Sequence, residues 1–216
     1  MPEAGVVTIT LNRPAKKNAL SVALRDEMVG TLAGLAEDEG VSCIVITGAG
    51  DTFCSGFDLA EFNVGDEEFQ RELWASSDRF HHALLRFPLP LIAAVNGPAL
   101  AGGFDLAVLC DLRIASHTAR FAHPERSFGD VVYGPLHDLV GGGVARELCL
   151  TGRPVGADEA RELGLVMQVV ARAELAGVAQ DVARRIAAFP RDFTIRTKAK
   201  IIGRMAIDPT TMTLDL

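Results

Sequence analysis

Residues 91–113, LIAAVNGPALAGGFDLAVLCDLR, constrain this chain more than any other stretch, because they join a buried strand, a glycine turn and a carboxylate in one short unit. LIAAV follows directly on Pro88 and Pro90, which stop any preceding helix, so the apolar run reads as a strand covered on both faces. Asn96-Gly97-Pro98 punctuates it. After Ala101, Gly102 and Gly103 let the backbone approach a neighbour closely, and residues 104–110 read as a short buried helix with Asp105 in its first turn. Two readings follow. Unused N–H groups at a helix start, beside an acid, can form a reaction site. Alternatively the glycines form a cap and the acid complements the helix dipole. Spacing alone leaves both open.

At 216 residues the chain fits one domain, 1–216, with enough length to bury a substantial core. Hydrophobic residues make up 49% and aromatics only 6%, so small aliphatic side chains dominate, which suits a closely packed α/β protein with subunit contacts. The formal net charge of −7 comes without a basic run, which argues against nucleic acid or an anionic membrane as partner. Cys43, Cys54, Cys110 and Cys149 lie far apart without metal-ligand spacing, and the expectation is buried, reduced thiols and no metal. No leader pattern opens the chain and no apolar run reaches about 18 residues. These features predict a soluble, cytoplasmic protein.

Along the chain, residues 6–11 alternate like a strand, and Ser21 is placed to cap a helix whose stripe is Leu24, Met28, Leu32 and Leu35. Residues 41–47 read as a second strand, followed by the glycine-containing loop TGAGDTFCSGFDL. From Glu67, the stripe Phe69, Leu73, Phe80, Leu84 and Phe87 predicts a helix that stops at Pro88. DLRIAS reads as a strand, and ARFAHPE as a strand running into a loop. Over residues 129–143 periodicity fails, and a loop is expected. A short helix over 158–163, a strand over 166–170, an amphipathic helix from Leu175 to Pro190 and a final helix capped by Asp192 and running to about Met205 complete the reading.

Several residues carry chemistry in principle. Ser55 and Gly56 follow a strand, but neither a phosphate-loop nor a dinucleotide fingerprint is present, and Phe53 stands where a nucleophile elbow needs glycine. In HPER, Pro124 fixes the backbone that aims Glu125, although a surface turn would look the same. Arg13, Lys16 and Lys17, just after the first strand, are candidates for a phosphate. His81, His82, His117 and His137 have no partner at ligand spacing and read as surface or structural groups, whereas His123, two residues before Glu125, is kept as a site neighbour.

Taken in order, LNRPAKKNALS, TGAGDTFCSGFDL, AAVNGPALAGGFDLAVLCDLRIAS, ARFAHPE and LTGRPVGADEARELGLVMQVV resemble the crotonase superfamily, the enoyl-CoA hydratase/isomerase family. The resemblance covers roughly residues 4 to 200. It implies an α/β fold, a crotonase-like spiral of ββα units over about 1–190, with a shortened C-terminal helical segment over about 191–216. It implies homotrimers or dimers of trimers, an acyl-CoA thioester as ligand, and no cofactor beyond coenzyme A as part of the substrate.

On the family's pattern the backbone N–H groups of Phe57 and Gly102 hold the thioester oxygen, where enolate-like charge develops. Arg13, Lys16, Lys17, Ser55, Gly56, Asp58, Leu59 and Gly103 fall on substrate- and CoA-binding segments. The two catalytic glutamates fall on Asp105 and Glu125, which implies hydration of a 2-enoyl-CoA as the first expectation. Double-bond isomerisation through Glu125 alone is the second, and a non-catalytic acyl-CoA binder the third. The chain departs from the pattern in three places. Aspartate replaces glutamate at Asp105, costing about 1.5 Å of reach. GDVVYGPLHDLVG replaces a glycine-rich run, bringing Asp130, Tyr133 and His137 into consideration, with His123, as acyl-pocket residues. The family's usual final helical segment would extend past Leu216.

Overall fold

The structure, a computed structural model, describes residues 5–127 and 130–205. Its centre is a parallel five-stranded sheet made of β1 (Val6–Leu11), β2 (Cys43–Gly48), β3 (Leu91–Val95), β5 (Leu112–Ser116) and β8 (Gln168–Val170), in the order β1-β2-β3-β5-β8. Alternation along the strands sends side chains to two separate cores. Ile44, Ile46, Leu91, Ala93 and Val95 enter the larger one, while Cys43, Val45, Ile92, Ala94 and Ile114 enter the smaller. A parallel sheet covered on both faces needs continuous apolar strands, and CIVITG and LIAAV supply them.

The helices between strands are α1 (Val22–Glu37), α2 (Glu67–Leu85), α3 (Gly102–Leu109), α4 (Gly134–Thr151), α5 (Ala157–Glu162), α6 (Leu175–Ala187) and α7 (Arg191–Ile202). Ser21 caps α1 as expected, its hydroxyl accepting from the Leu24 N–H. Helix α6 closes the smaller core with Leu175, Ala179, Val182 and Ala183.

A second sheet turns the βα alternation into ββα units. In it β4 (Pro98–Leu100) pairs in parallel with β6 (Arg120–Ala122), which pairs antiparallel with β7 (Val155–Gly156). Isolated parallel bridges Leu20↔Phe57 and Cys54↔Ala99 extend the same layer backwards through the chain. Each turn of the spiral thus gives one strand to the main sheet, one segment to the second layer and one helix.

Two expectations are corrected, and two short strands are added. Residues 130–133 are irregular, but the expected loop becomes α4 from Gly134, while Gly129 lies outside the described residues. Pro135 is tolerated in the first helical turn, where no N–H bond is needed, and Gly141 (φ 76°, ψ 159°) kinks the helix, so no single period shows in sequence. Strands β4 and β7 are too short for alternation to reveal. Finally, α7 begins at Arg191, before Asp192. Pro190 itself occupies the cap with φ −55°, and Asp192 sits in the first turn, paired with Arg196 at 2.8 Å.

Helix α7 is tied down by charge. The buried Lys198 Nζ donates to the Leu89 carbonyl at 2.7 Å and pairs with Asp111 at 2.8 Å, and Arg191 donates to the carbonyls of Ala36 and Val41. Of the expected C-terminal segment, residues 206–216 lie outside the described residues. All four cysteines are buried free thiols, and no helix among the described residues is long and apolar enough to cross a membrane.

The glycines supply a stability test. A Cβ on Gly103 would lie 2.3 Å from the Cys54 carbonyl oxygen, whereas one on Gly30, inside α1, would meet nothing within 4 Å. Gly103→Ala is expected to lose about 1–3 kcal/mol or more in urea unfolding, and Gly30→Ala to gain about 0.5–1 kcal/mol.

Candidate active site

The second layer brings four segments together at the start of α3. Asn18, fully buried in the left-handed region (φ 56°), donates to the carbonyls of Ala49 and Thr52 at 2.8 and 2.7 Å, stapling the loop after β1 to the loop after β2. Arg13 adds a second tie, bonding Asp58 at 2.9 Å and the Ala19 carbonyl at 2.6 Å, and its guanidinium holds the Asp58 carboxyl below its ordinary range. Arg13 and Asp58 are therefore engaged with each other, while Lys16 and Lys17 stay exposed. Ser55 is half-buried, its N–H spent on the Lys17 carbonyl, and Leu59 is exposed.

Gly56 (φ +90°) packs directly on Ala101, Leu100 and Gly102, where a Cβ would sit 2.7 Å from that of Ala101. Ala101 itself adopts φ 50°, ψ −132°, a strained conformation for a non-glycine residue, and its carbonyl accepts from the Phe104 and Asp105 N–H groups. The chain enters α3 so abruptly that Gly102 leads it. Among the described residues, neither the Phe57 nor the Gly102 N–H meets a backbone acceptor, and the Phe57 ring lies against Gly102. Arg25 was not a candidate from the sequence. It is wholly buried 4.3 Å above the Phe57 ring, donating to Ser76 Oγ and to the Leu20 and Leu73 carbonyls.

Beneath these amides lies a buried titratable cluster. Asp105, from the first turn of α3, has Oδ2 4.0 Å from His81 Nε2 of α2 and Oδ1 3.9 Å from His123 Nδ1, at the end of β6. His123 Nδ1 also donates to Glu125 Oε1 at 2.8 Å from the single-turn helix Pro124–Ser127. Burial pushes the Asp105 carboxyl up to about 7, with Glu125 adding to the rise and His123 opposing it. Burial lowers His123, but its bond to Glu125 and the charges of both carboxylates outweigh that, so its net shift is upward.

His81 corrects the sequence reading, which left it as a surface or structural group. It is fully buried, and because Ser77 offers a carbonyl oxygen at 2.8 Å, Nδ1 carries the hydrogen. Burial depresses it to about 4, leaving a neutral imidazole whose Nε2 faces Asp105. Asp105 Oδ1, His123 Nε2 and Glu125 Oε2 are buried without a hydrogen-bond partner among the described residues. Polar atoms clustered in that way are poised for a polar ligand.

The remaining candidates lie apart. Asp130 is exposed, and His137 is an exposed residue in the first turn of α4, paired with Asp138 at 3.2 Å. Tyr133, half-buried, packs with its ring tilted 48° against that of His137, 5.5 Å between centroids. Among the described residues, no three His, Cys, Asp or Glu side chains are arranged so that they could hold a metal ion.

The family model described as enoyl-CoA hydratase/isomerase matches residues 2–211. The chain is 37% identical over 189 residues to a short-chain-enoyl-CoA hydratase of Clostridium acetobutylicum, covering 85% of this chain and 72% of the relative. It is also 38% identical over 196 residues to 4-chlorobenzoyl coenzyme A dehalogenase-2 of an Arthrobacter species, covering 86% and 70%. Among solved structures, an enoyl-CoA hydratase from Bacillus anthracis superposes with a TM-score of 0.88 at 35% identity, covering 94% of this chain and 81% of that one.

The raised Asp105 carboxyl fixes the sign of a stability test. In the unfolded chain it ionises near about 3.9, but in the fold only near about 7. Its burial therefore costs nothing below the first value, progressively more between the two, and a constant amount above the second. Asp105→Asn is expected to unfold at higher urea than the parent at pH 8, with the advantage shrinking steadily towards pH 4.

Proposed function

Because this chain belongs to the enoyl-CoA hydratase/isomerase family, we propose that, as an acyl-CoA-processing enzyme, it hydrates a 2-enoyl-CoA to a 3-hydroxyacyl-CoA. The observation that carries this reading is the pair of carboxylates, buried Asp105 and half-buried Glu125, on either side of one imidazole nitrogen, in a site where the Phe57 and Gly102 amides meet no backbone acceptor among the described residues. Phe57 and Gly102 form the oxyanion hole. Their N–H groups receive the charge that builds on the thioester oxygen as C3 is attacked, and one donor of this kind is typically worth about 10²–10³ in rate.

Hydration needs a base for water and an acid for C2. Glu125, oriented through Oε1 by His123, takes the proton from water with the unpartnered Oε2. Asp105, ionising near about 7, supplies the proton to C2. The exposed Lys16 and Lys17 meet the phosphates of coenzyme A, while Arg13 and Asp58 hold their loop in place. Ser55, Gly56, Leu59 and Gly103 line the thioester segment, and no cofactor beyond coenzyme A enters the reaction. Exposed Phe189, Phe193 and Ile201, around α7, support a homotrimer or pair of trimers, and the buried thiols support a cytoplasmic setting.

A second reading, double-bond isomerisation, is favoured by the short reach of Asp105 towards its two imidazole neighbours. There Glu125 alone moves a proton between carbons. Loss of the conjugated-thioester absorbance of crotonyl-CoA separates the two. Under hydration, Asp105→Asn and Glu125→Gln each slow turnover by about 10²–10⁴-fold. Under isomerisation, Glu125→Gln abolishes turnover of a 3-enoyl-CoA and Asp105→Asn keeps most of it. Crotonyl-CoA hydration no faster than that of the Asp105→Ala, Glu125→Ala double variant overturns the first reading.

A further inference from the structure

A run of aromatic rings joins the reaction centre to the surface. It starts at Phe57, whose N–H is one of the two amides assigned to the thioester oxygen and whose ring lies against Gly102. The centroid of that ring is 6.3 Å from the imidazole of His81, the neighbour of Asp105, and 6.3 Å from the Phe62 ring, with 24° between the two phenylalanine planes. Phe62 in turn meets Trp74 of α2 edge to face at 5.9 Å. The run ends in water, since Phe62 and Trp74 are each 38% exposed. These outer rings are nevertheless held in place. Gln70, one turn before Trp74 on α2, donates to the carbonyls of Glu61 at 3.2 Å and Val64 at 2.9 Å, on either side of Phe62. The Glu61 carboxylate accepts from the Val22 N–H at 3.0 Å, which ties the same segment to the start of α1.

We propose that Phe62 and Trp74 are specificity-determining residues, a wall that selects an aryl over an alkyl acyl group on the thioester. The proposal rests on the acyl-CoA reading and is independent of which proton transfers follow. Continuity chooses the occupant, because the exposed rings are the outer end of a series that begins at the residue holding the carbonyl oxygen. Preformed apolar surface of this kind gains from being covered, and its anchored backbone needs no further ordering when it is. The ring geometry chooses the chemistry. One near-parallel pair and one edge-to-face pair leave both a face and an edge for a further flat ring, and a ring pair adds about two- to tenfold in affinity beyond the area it buries. A saturated chain gains the area alone.

The test is equilibrium binding of two saturated thioesters, 3-phenylpropionyl-CoA and 3-cyclohexylpropionyl-CoA, which match in carbon skeleton and offer no double bond to hydrate. By titration calorimetry on the whole chain, the phenyl thioester is expected to bind at least about fivefold more tightly. Phe62→Leu and Trp74→Leu are each expected to bring the ratio of the two Kd values below about twofold, a ratio that a general loss of affinity would not move. Trp74 is the only tryptophan of the chain, so its emission reports from the wall itself. It is expected to change with the phenyl thioester at the calorimetric Kd and to stay constant with coenzyme A alone, and this titration of the parent decides the question if the variants do not fold. Equal affinity for the two thioesters, or a preference that survives both substitutions, overturns the wall alone. Emission that follows protein concentration instead of thioester shows a second copy of the chain on these rings and overturns it as well. A parent that binds neither thioester overturns the acyl-CoA reading and the wall with it.

Discussion

The start of α3 can lie where it does only because side chains are missing from one crossing of the backbone. Gly103 faces the Cys54 carbonyl, Gly56 faces Ala101 and the Leu100 carbonyl, and Gly102 faces the Phe57 ring. The same crossing allows Cys54 to bridge Ala99 and so continues the second layer of the spiral. It has a cost. Ala101 is held at φ 50°, the kind of backbone strain worth about 1–3 kcal/mol that persists only where its surroundings enforce it. In return the Gly102 nitrogen packs beside Gly56, one residue before Phe57, and Asp105 follows within a single turn.

What the crossing positions, the two cores keep dry. The site draws His81 from α2, Asp105 from α3, and His123 and Glu125 from the end of β6 and the turn after it. These segments belong to successive turns of the spiral, and the larger core closes behind them. Low solvent access is what raises the Asp105 carboxyl, because burial penalises its charged form. Arg25 works on the other side of the Phe57 ring. It is buried without a carboxylate bonded to it, its guanidinium satisfied by two carbonyls and a hydroxyl, and burial lowers it to about 10. Its three bonds join α1, α2 and the loop before α1, so the Phe57 ring that packs against Gly102 is fixed from behind.

Most of the layer order could be read from pattern. Strands with clear alternation or unbroken apolar character, the Ser21 cap and the stripes of α1, α2 and α6 reflect burial, which sequence records directly. Elements that rest on partners rather than on their own period were hidden, among them the three-residue β4, the two-residue β7 and α4 with its internal kink at Gly141. The site divides in the same manner. Asp105 and Glu125 were visible as acids beside turns, but each had an ordinary structural explanation until the resemblance linked them. His81 did carry a signal that went unused. Leu73, Ser77, Phe80, His81 and Leu84 share one helical face, and two polar residues on an otherwise apolar stripe point to a buried polar purpose. Asn18 and Arg25 gave no such sign, since their partners are carbonyls distant in sequence.

The aspartate at position 105 is then less a shortened glutamate than one member of a balanced group. His81 is kept neutral by burial and by the commitment of its Nδ1 hydrogen to Ser77, while His123 is bonded to Glu125 at 2.8 Å. Ionising Asp105 places a negative charge in an interior that cannot solvate it, which is why burial heads the causes of its rise and why the adjacent His123 only moderates it. A glutamate would carry its carboxyl about 1.5 Å further out. The shorter side chain instead keeps the carboxyl within about 4 Å of both imidazoles. In this site reach is exchanged for company, and the carboxyl that burial pushes up to about 7 is the one held within about 4 Å of two imidazoles.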